Sequence, residues 1–110
     1  MYLGIDVHNR YAQVAVMDEA GTIIKEVRVE NANFDDLAQR YAGAQAVLEA
    51  TSNYYHIHDT LSEYLDVTVA HPKKINQIAD NDKKPDRMDP KELARMLRSN
   101  SVPESYVQTE

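Results

Sequence analysis

The chain has 110 residues, 43% of them hydrophobic, with a formal net charge of −6; that suffices for one compact domain and not for two. It has no cysteine, which excludes a disulfide framework and a thiolate metal site. No stretch is apolar enough to span a bilayer, and the acid excess argues against a free-standing nucleic-acid binder, because phosphate affinity comes from Lys and Arg.

Met1-Tyr2-Leu3-Gly4-Ile5-Asp6 enters directly as a strand, without the basic-then-apolar layout of a signal peptide. The expected location is therefore cytoplasmic. Tyr2–Val7 reads as a buried strand, and His8-Asn9-Arg10 as a polar turn. Tyr11–Met17 alternates, with Tyr11, Val14 and Val16 among small or polar residues. Asp18-Glu19-Ala20-Gly21 is a turn with Gly where positive φ is tolerated. Thr22–Val29 alternates again through Ile24, Val27 and Val29. Three strands joined by such short links form an antiparallel meander.

Asn33 can cap a helix through Phe34, Leu37, Ala38 and Tyr41, and Gly43 can end it. Ala46–Ala50 is a short apolar run of the kind found in buried parallel strands. Thr51-Ser52-Asn53 supplies a cap for a second helix, with Tyr54, Ile57, Leu61, Tyr64 and Leu65 on one face. Val67–Ala70 is a further strand, and Pro72 opens a helical turn through Ile75 and Ile78. Ala79–Pro90 has two prolines, dense charge and no apolar pattern, so a mobile loop is expected over Asp80–Pro90. Pro90 starts a helix carrying Leu93, Ala94, Met96 and Leu97, and Val102-Pro103 leads into an extended tail.

This order is the layout of the ribonuclease-H-like α/β fold. It predicts a five-stranded mixed sheet, three antiparallel strands and then two parallel ones, with flanking helices. The first strand is central and the fourth lies beside it in parallel. Asp6 and Glu49 then come out as neighbours near the carboxyl ends of parallel strands, where α/β sheets place ligands.

Four acids become candidates for a metal site: Asp6, Glu49, Asp86 and Asp89. Burying a carboxylate at the end of a core strand is costly without a positive partner. Phosphoryl transfer can use divalent cations held by such carboxylates, and Mg²⁺ prefers oxygen ligands. Each acid also has a plainer role open to it. Asp6 could bond the following turn, Glu49 could pair with Arg10, and Asp86 could be a solvated loop residue. Asp89-Pro90-Lys91-Glu92 resembles a capping box, with Pro at the first helical position. His56-x-His58-Asp59 is not promoted to a metal site, because i and i+2 on a helix point to nearly opposite sides. His8 could assist Asp6 or serve only its turn. Tyr54 and Tyr55 suit packing better than base stacking.

Charge is unevenly spread. Residues 1–70 hold 4 Lys/Arg against 11 Asp/Glu, whereas residues 71–100 hold 8 against 5. A basic third on an acidic body could face phosphates or be a solvated helical face.

Gly4-Ile5-Asp6-Val7, Leu48-Glu49-Ala50-Thr51 with Tyr54-Tyr55, His71-Pro72-Lys73-Lys74, and Lys84-Pro85-Asp86-Arg87-Met88-Asp89 followed by Leu93-Ala94-Arg95 run in one order. Together they closely resemble the N-terminal domain of DEDD transposases of the IS110 insertion-sequence group, which includes the Piv DNA invertases. The resemblance covers nearly the whole chain. It implies a RuvC-like metal domain of a DNA recombinase over residues 1–102, with 103–110 as a tail or linker to a C-terminal transposase domain. It implies Asp6, Glu49, Asp86 and Asp89 as ligands of Mg²⁺, with Mn²⁺ as a substitute. It implies DNA as partner, self-association into a homo-oligomer and no membrane. Members of the group are similar to one another in using a guide RNA, and on that analogy Lys73, Lys74, Lys83, Lys84 and Arg87 face nucleic acid. Two residues depart from the pattern: Pro85, where a small hydroxyl residue is usual, and Pro90, where Ala is usual. Pro90 disfavours helical geometry at Asp89, so the two late acids need not share a helix face. Family members continue into a second, serine-bearing domain, a role that Ser52, Ser99, Ser101 and Ser105 do not inherit. Strand exchange is therefore not expected from this chain alone. The alternative expectation is a non-catalytic remnant or interaction domain of the same fold.

Overall fold

The first three strands pair in sequence, as their short links require. In the computed structural model, which describes residues 1–49, 54–70 and 89–100, β1 (Tyr2–Val7) pairs antiparallel with β2 (Tyr11–Met17), and β2 with β3 (Ile23–Glu30). The Asp18 carboxylate accepts the backbone N–H of Ala20 at 3.0 Å and of Thr22 at 2.9 Å, and Gly21 takes φ +90°. The turn between β2 and β3 is thus tied by one side chain and relieved by one glycine.

A 3₁₀ turn (Asn31–Asn33) leads into α1 (Phe34–Arg40). Then follow β4 (Gln45–Glu49), α2 (Tyr54–Ser62), β5 (Asp66–Ala70) and α3 (Pro90–Arg98). The strand order is β3-β2-β1-β4-β5, with β4 parallel to both β1 and β5. This is the expected five-stranded mixed sheet of the ribonuclease-H-like fold.

Strand side chains alternate between the two faces. On one face, Leu3, Ile5 and Val7 of β1 join Ala12, Val14 and Val16 of β2, Ala46 and Leu48 of β4, and Val69 of β5. Phe34, Leu37 and Ala38 of α1 and Ile57 and Leu61 of α2 close over them. The other face carries α3. Its Leu93 and Leu97 pack on Val47 and Ala70, flanked by Tyr2 and Met96. The helix crosses β1 directly over Gly4, where a β-carbon would overlap the Pro90 carbonyl and stand 2.8 Å from the Ala94 nitrogen. Only a residue without a side chain admits so close a crossing.

Three details differ from expectation. Ile24 does not share a face with Val27 and Val29. The ladder steps from Val16↔Lys25 to Met17↔Ile23, leaving Ile24 as the extra residue of a bulge, 50% exposed. Asn33 precedes α1 without a side-chain cap bond, because the 3₁₀ turn already delivers the chain into the helix. α2 stops at Ser62, so Tyr64 falls in the following turn and is exposed, while Ile57, Leu61 and Leu65 are buried as expected. Asp89 and Pro90, at the end of the expected mobile loop, are the cap and first residue of α3, as their capping-box pattern predicts. The rest of that loop, the Thr51-Ser52-Asn53 cap, the Pro72 turn and the 103–110 tail lie outside the described residues.

Candidate metal centre

Asp6 is the fifth residue of β1 and Glu49 the last of β4. They are the buried charged residues of the described chain, 8% and 2% exposed. The parallel register runs Tyr2↔Gln45 through Ile5↔Leu48. Asp6 and Glu49 follow directly on that last pair, so the register carries both acids toward the same end of the sheet. Both belong to the face under α3, since Ile5 and Leu48, their neighbours in sequence, point into the opposite core.

The direction of α3 adds to this end of the sheet. Its C-terminal residue Arg98 sits against Gly21 and donates Nε–H to the Glu19 carbonyl at 3.0 Å, beyond the amino end of β1. Its first residue lies over Gly4. The helix therefore runs antiparallel to β1 and aims its amino end toward the half of the strand that holds Asp6. Asp89 has extended backbone (φ −61°, ψ 139°), and its Oδ1 accepts the Lys91 N–H at 2.7 Å. The expected N-cap and the expected effect of Pro90 are both present. A carboxylate at a helix amino end also suits the helix dipole.

His8 Nε2 stands 3.0 Å from Asp6 Oδ2. An ionised carboxylate only accepts, so the imidazole donates from Nε2. The ring is stacked on Tyr11, with centroids 4.7 Å apart and planes at 17°. The Arg28 guanidinium lies over the same tyrosine ring at 3.8 Å, and its Nε donates to Glu30 Oε2 at 3.3 Å. The register shows why Arg28 comes here: Asp6 faces Gln13, and Gln13 faces Arg28. Glu49, Asp6, Gln13 and Arg28 thus form one row across four strands on the α3 face.

Two of the four candidate acids, Asp6 and Glu49, lie on neighbouring strands on the face that carries α3, and Asp89 caps the amino end of that helix. Asp86 lies outside the described residues, as do Lys73, Lys74, Lys83, Lys84 and Arg87. Among the described residues no three His, Asp or Glu side chains gather closely enough to hold a metal ion. Arg10 is exposed and makes no ion pair with Glu49. His56 is exposed and His58 half-buried, with its Nδ1 3.6 Å from the exposed Asp59 carboxylate, so that helix carries no inward metal trio. Tyr11, Gln13 and Arg28 were not singled out from sequence. Counting hairpin pairs outward from the His8-Asn9-Arg10 turn would have found Gln13 opposite Asp6.

Asp6 and Glu49 are buried carboxylates near the ends of neighbouring strands. Their oxygen donors suit a hard divalent ion such as Mg²⁺ or Mn²⁺. Among the described residues no helix is long and apolar enough to cross a membrane. No curated protein sequence matches the chain. The profile of a family described as transposase, the DEDD type of the IS110 group, matches residues 3–110. With the sheet order and the two strand-end acids, that match over nearly the full length makes the assignment: the chain belongs to the IS110-type DEDD transposase family.

Proposed function

We propose that this domain is the metal-binding part of a transposase active site, with Asp6, Glu49, Asp86 and Asp89 as the ligands. The family sets its role in DNA transposition. The observation that carries the reading is the pair of buried carboxylates at neighbouring strand ends. Bound there, Mg²⁺, or Mn²⁺ in its place, would polarise a DNA phosphate. The chain's own residues do the holding. Glu49 and Asp6 present oxygens from rigid strands, and the His8 bond fixes which Asp6 oxygen turns inward. Asp89 can cap α3 with one oxygen and offer the other. Asp86 enters from charge and family resemblance alone.

Residues 1–102 would form the metal domain and 103–110 the linker to a serine-bearing module. Strand exchange would need that module, so this chain alone is expected to bind metal without exchanging strands. Lys73, Lys74, Lys83, Lys84 and Arg87 would meet nucleic acid, DNA or a guide RNA, in a homo-oligomeric assembly. Isothermal titration of the full chain with Mn²⁺ tests the core of this. Weak binding lost in Asp6→Asn is the expected result. Unchanged binding in Asp6→Asn would remove Asp6 from the site, and no binding at millimolar metal would favour a non-catalytic domain of the same fold.

A further inference from the structure

Beyond the amino end of α3, two residues of this sheet face are open to solvent. Gln13 and Arg28, the continuation of the Asp6 row, are both exposed. His8, Asn9, Arg10, Tyr11 and Arg28 line a solvent-open cavity of about 410 Å³ at this point. Its wall is the stack already described, with imidazole and guanidinium against the Tyr11 ring. Residues 1–70 contain only 4 Lys/Arg, and two of them, Arg10 and Arg28, line this cavity. On an acidic body, that placement brings two guanidiniums beside the acid pair, one of them paired with Glu30. Arg28 spends its Nε on Glu30 and its face on Tyr11. Among the described residues its terminal nitrogens have no further partner, and they can fork onto a phosphate.

We propose that Arg10, Arg28 and the His8–Tyr11 stack form a binding site for the phosphate backbone of a nucleic-acid strand, leading it to Asp6 and Glu49. The chemistry is that of a phosphodiester held by two guanidiniums, with the stacked rings toward sugar and base. The site is on the β1–β2 turn and β3, apart from the basic stretch over residues 73–87. It rests on the metal-domain reading for its direction, and its test is independent of metal.

Fluorescence anisotropy in EDTA measures binding of single-stranded DNA and of RNA of the same sequence by the full chain across a salt series. Each of Arg10→Gln and Arg28→Gln is expected to weaken binding and flatten the log–log salt slope by about 0.7, and the double variant by about 1.4. Arg28→Lys keeps the slope and loses affinity, because lysine keeps the charge but not the planar stack. Equal losses on DNA and RNA define a site for the common backbone; a loss on one alone assigns the site to that strand. The Arg10→Gln, Arg28→Gln double variant separates the two readings, since it should lose the oligonucleotide and keep the Mn²⁺ binding of the wild-type chain. Both arginines are exposed, so matching thermal melts show that the variants fold. A double variant with wild-type affinity and slope overturns the proposal, and so does a wild-type chain that binds neither oligonucleotide.

Discussion

One face of the sheet is sealed by large aliphatic side chains and Phe34 beneath α1 and α2. Among the described residues the other is touched by one helix, α3, through Leu93, Ala94 and Leu97, and then gives way to Asp6, Glu49 and the exposed Arg28 row. The first face supplies most of the buried apolar area, and with it most of the hydrophobic stabilisation. The second tolerates costly groups because the first has already secured the strands. Charged chemistry in a small domain is possible where one side of a sheet carries stability and the other carries the site.

The sharpest way to break this contrast is to empty the thick face. Phe34 is 2% exposed at the head of α1. Phe34→Ala should cost about 3–5 kcal/mol, read as a lower urea midpoint. A loss no larger than that of any α3 variant would show that the two faces share the load.

Gly4→Ala attacks the thin face at its closest contact. The added methyl overlaps the Pro90 carbonyl, so α3 must lift. We expect a loss of about 1–3 kcal/mol, with faster amide exchange in Leu93–Leu97 and protected amides retained in β1 and β4. Uniform loss of protection would mean that α3 is integral to the core.

Asp89 separates packing from charge on the same face. Asp89→Ala removes the bond to the Lys91 N–H and should cost about 1 kcal/mol. Asp89→Asn keeps the cap and should leave stability nearly unchanged while weakening Mn²⁺ binding. Equal metal affinity in Asp89→Asn would leave the residue a cap only.

The smallest expected effect lies at the far end of α3. The Met1 ammonium bonds Glu19 and holds its carboxyl below the usual range, with the Tyr2 hydroxyl and Arg98 adding to the effect. A depressed carboxyl stabilises the fold above its unfolded value, and that contribution disappears as pH falls through the folded one. Glu19 is exposed, so the gain is small. Glu19→Gln should slightly flatten the loss of stability below about pH 4.5. An identical acid limb in both proteins would show the pair to be energetically silent.

Much of the fold was legible because its signals are local. Tyr2–Val7, Tyr11–Met17 and Val67–Ala70 carry strand patterns, and Asp89-Pro90 is a helix start that the structure reproduces. Ile24 departs from the pattern because it stands three residues before Val27, a spacing that alternation sends to opposite sides, and it falls at the irregular step of the ladder. Asn33 was over-read because a 3₁₀ turn already delivers the chain into α1. Two of the candidate acids were legible as charges ending apolar runs. The Tyr11–Arg28 stack was not, because its members meet across strands and share no sequence pattern.

Composition, apolar alternation and turn residues by themselves determined which segments become strands and helices, and which of them end in an acid. Only the tertiary structure decided that Asp6 and Glu49 share a face, that α3 passes over Gly4 toward them, and that Arg28 continues their row. The reason is pairing register. It is set by contacts between distant segments, and a slip of one residue would turn either acid to the opposite side of the sheet.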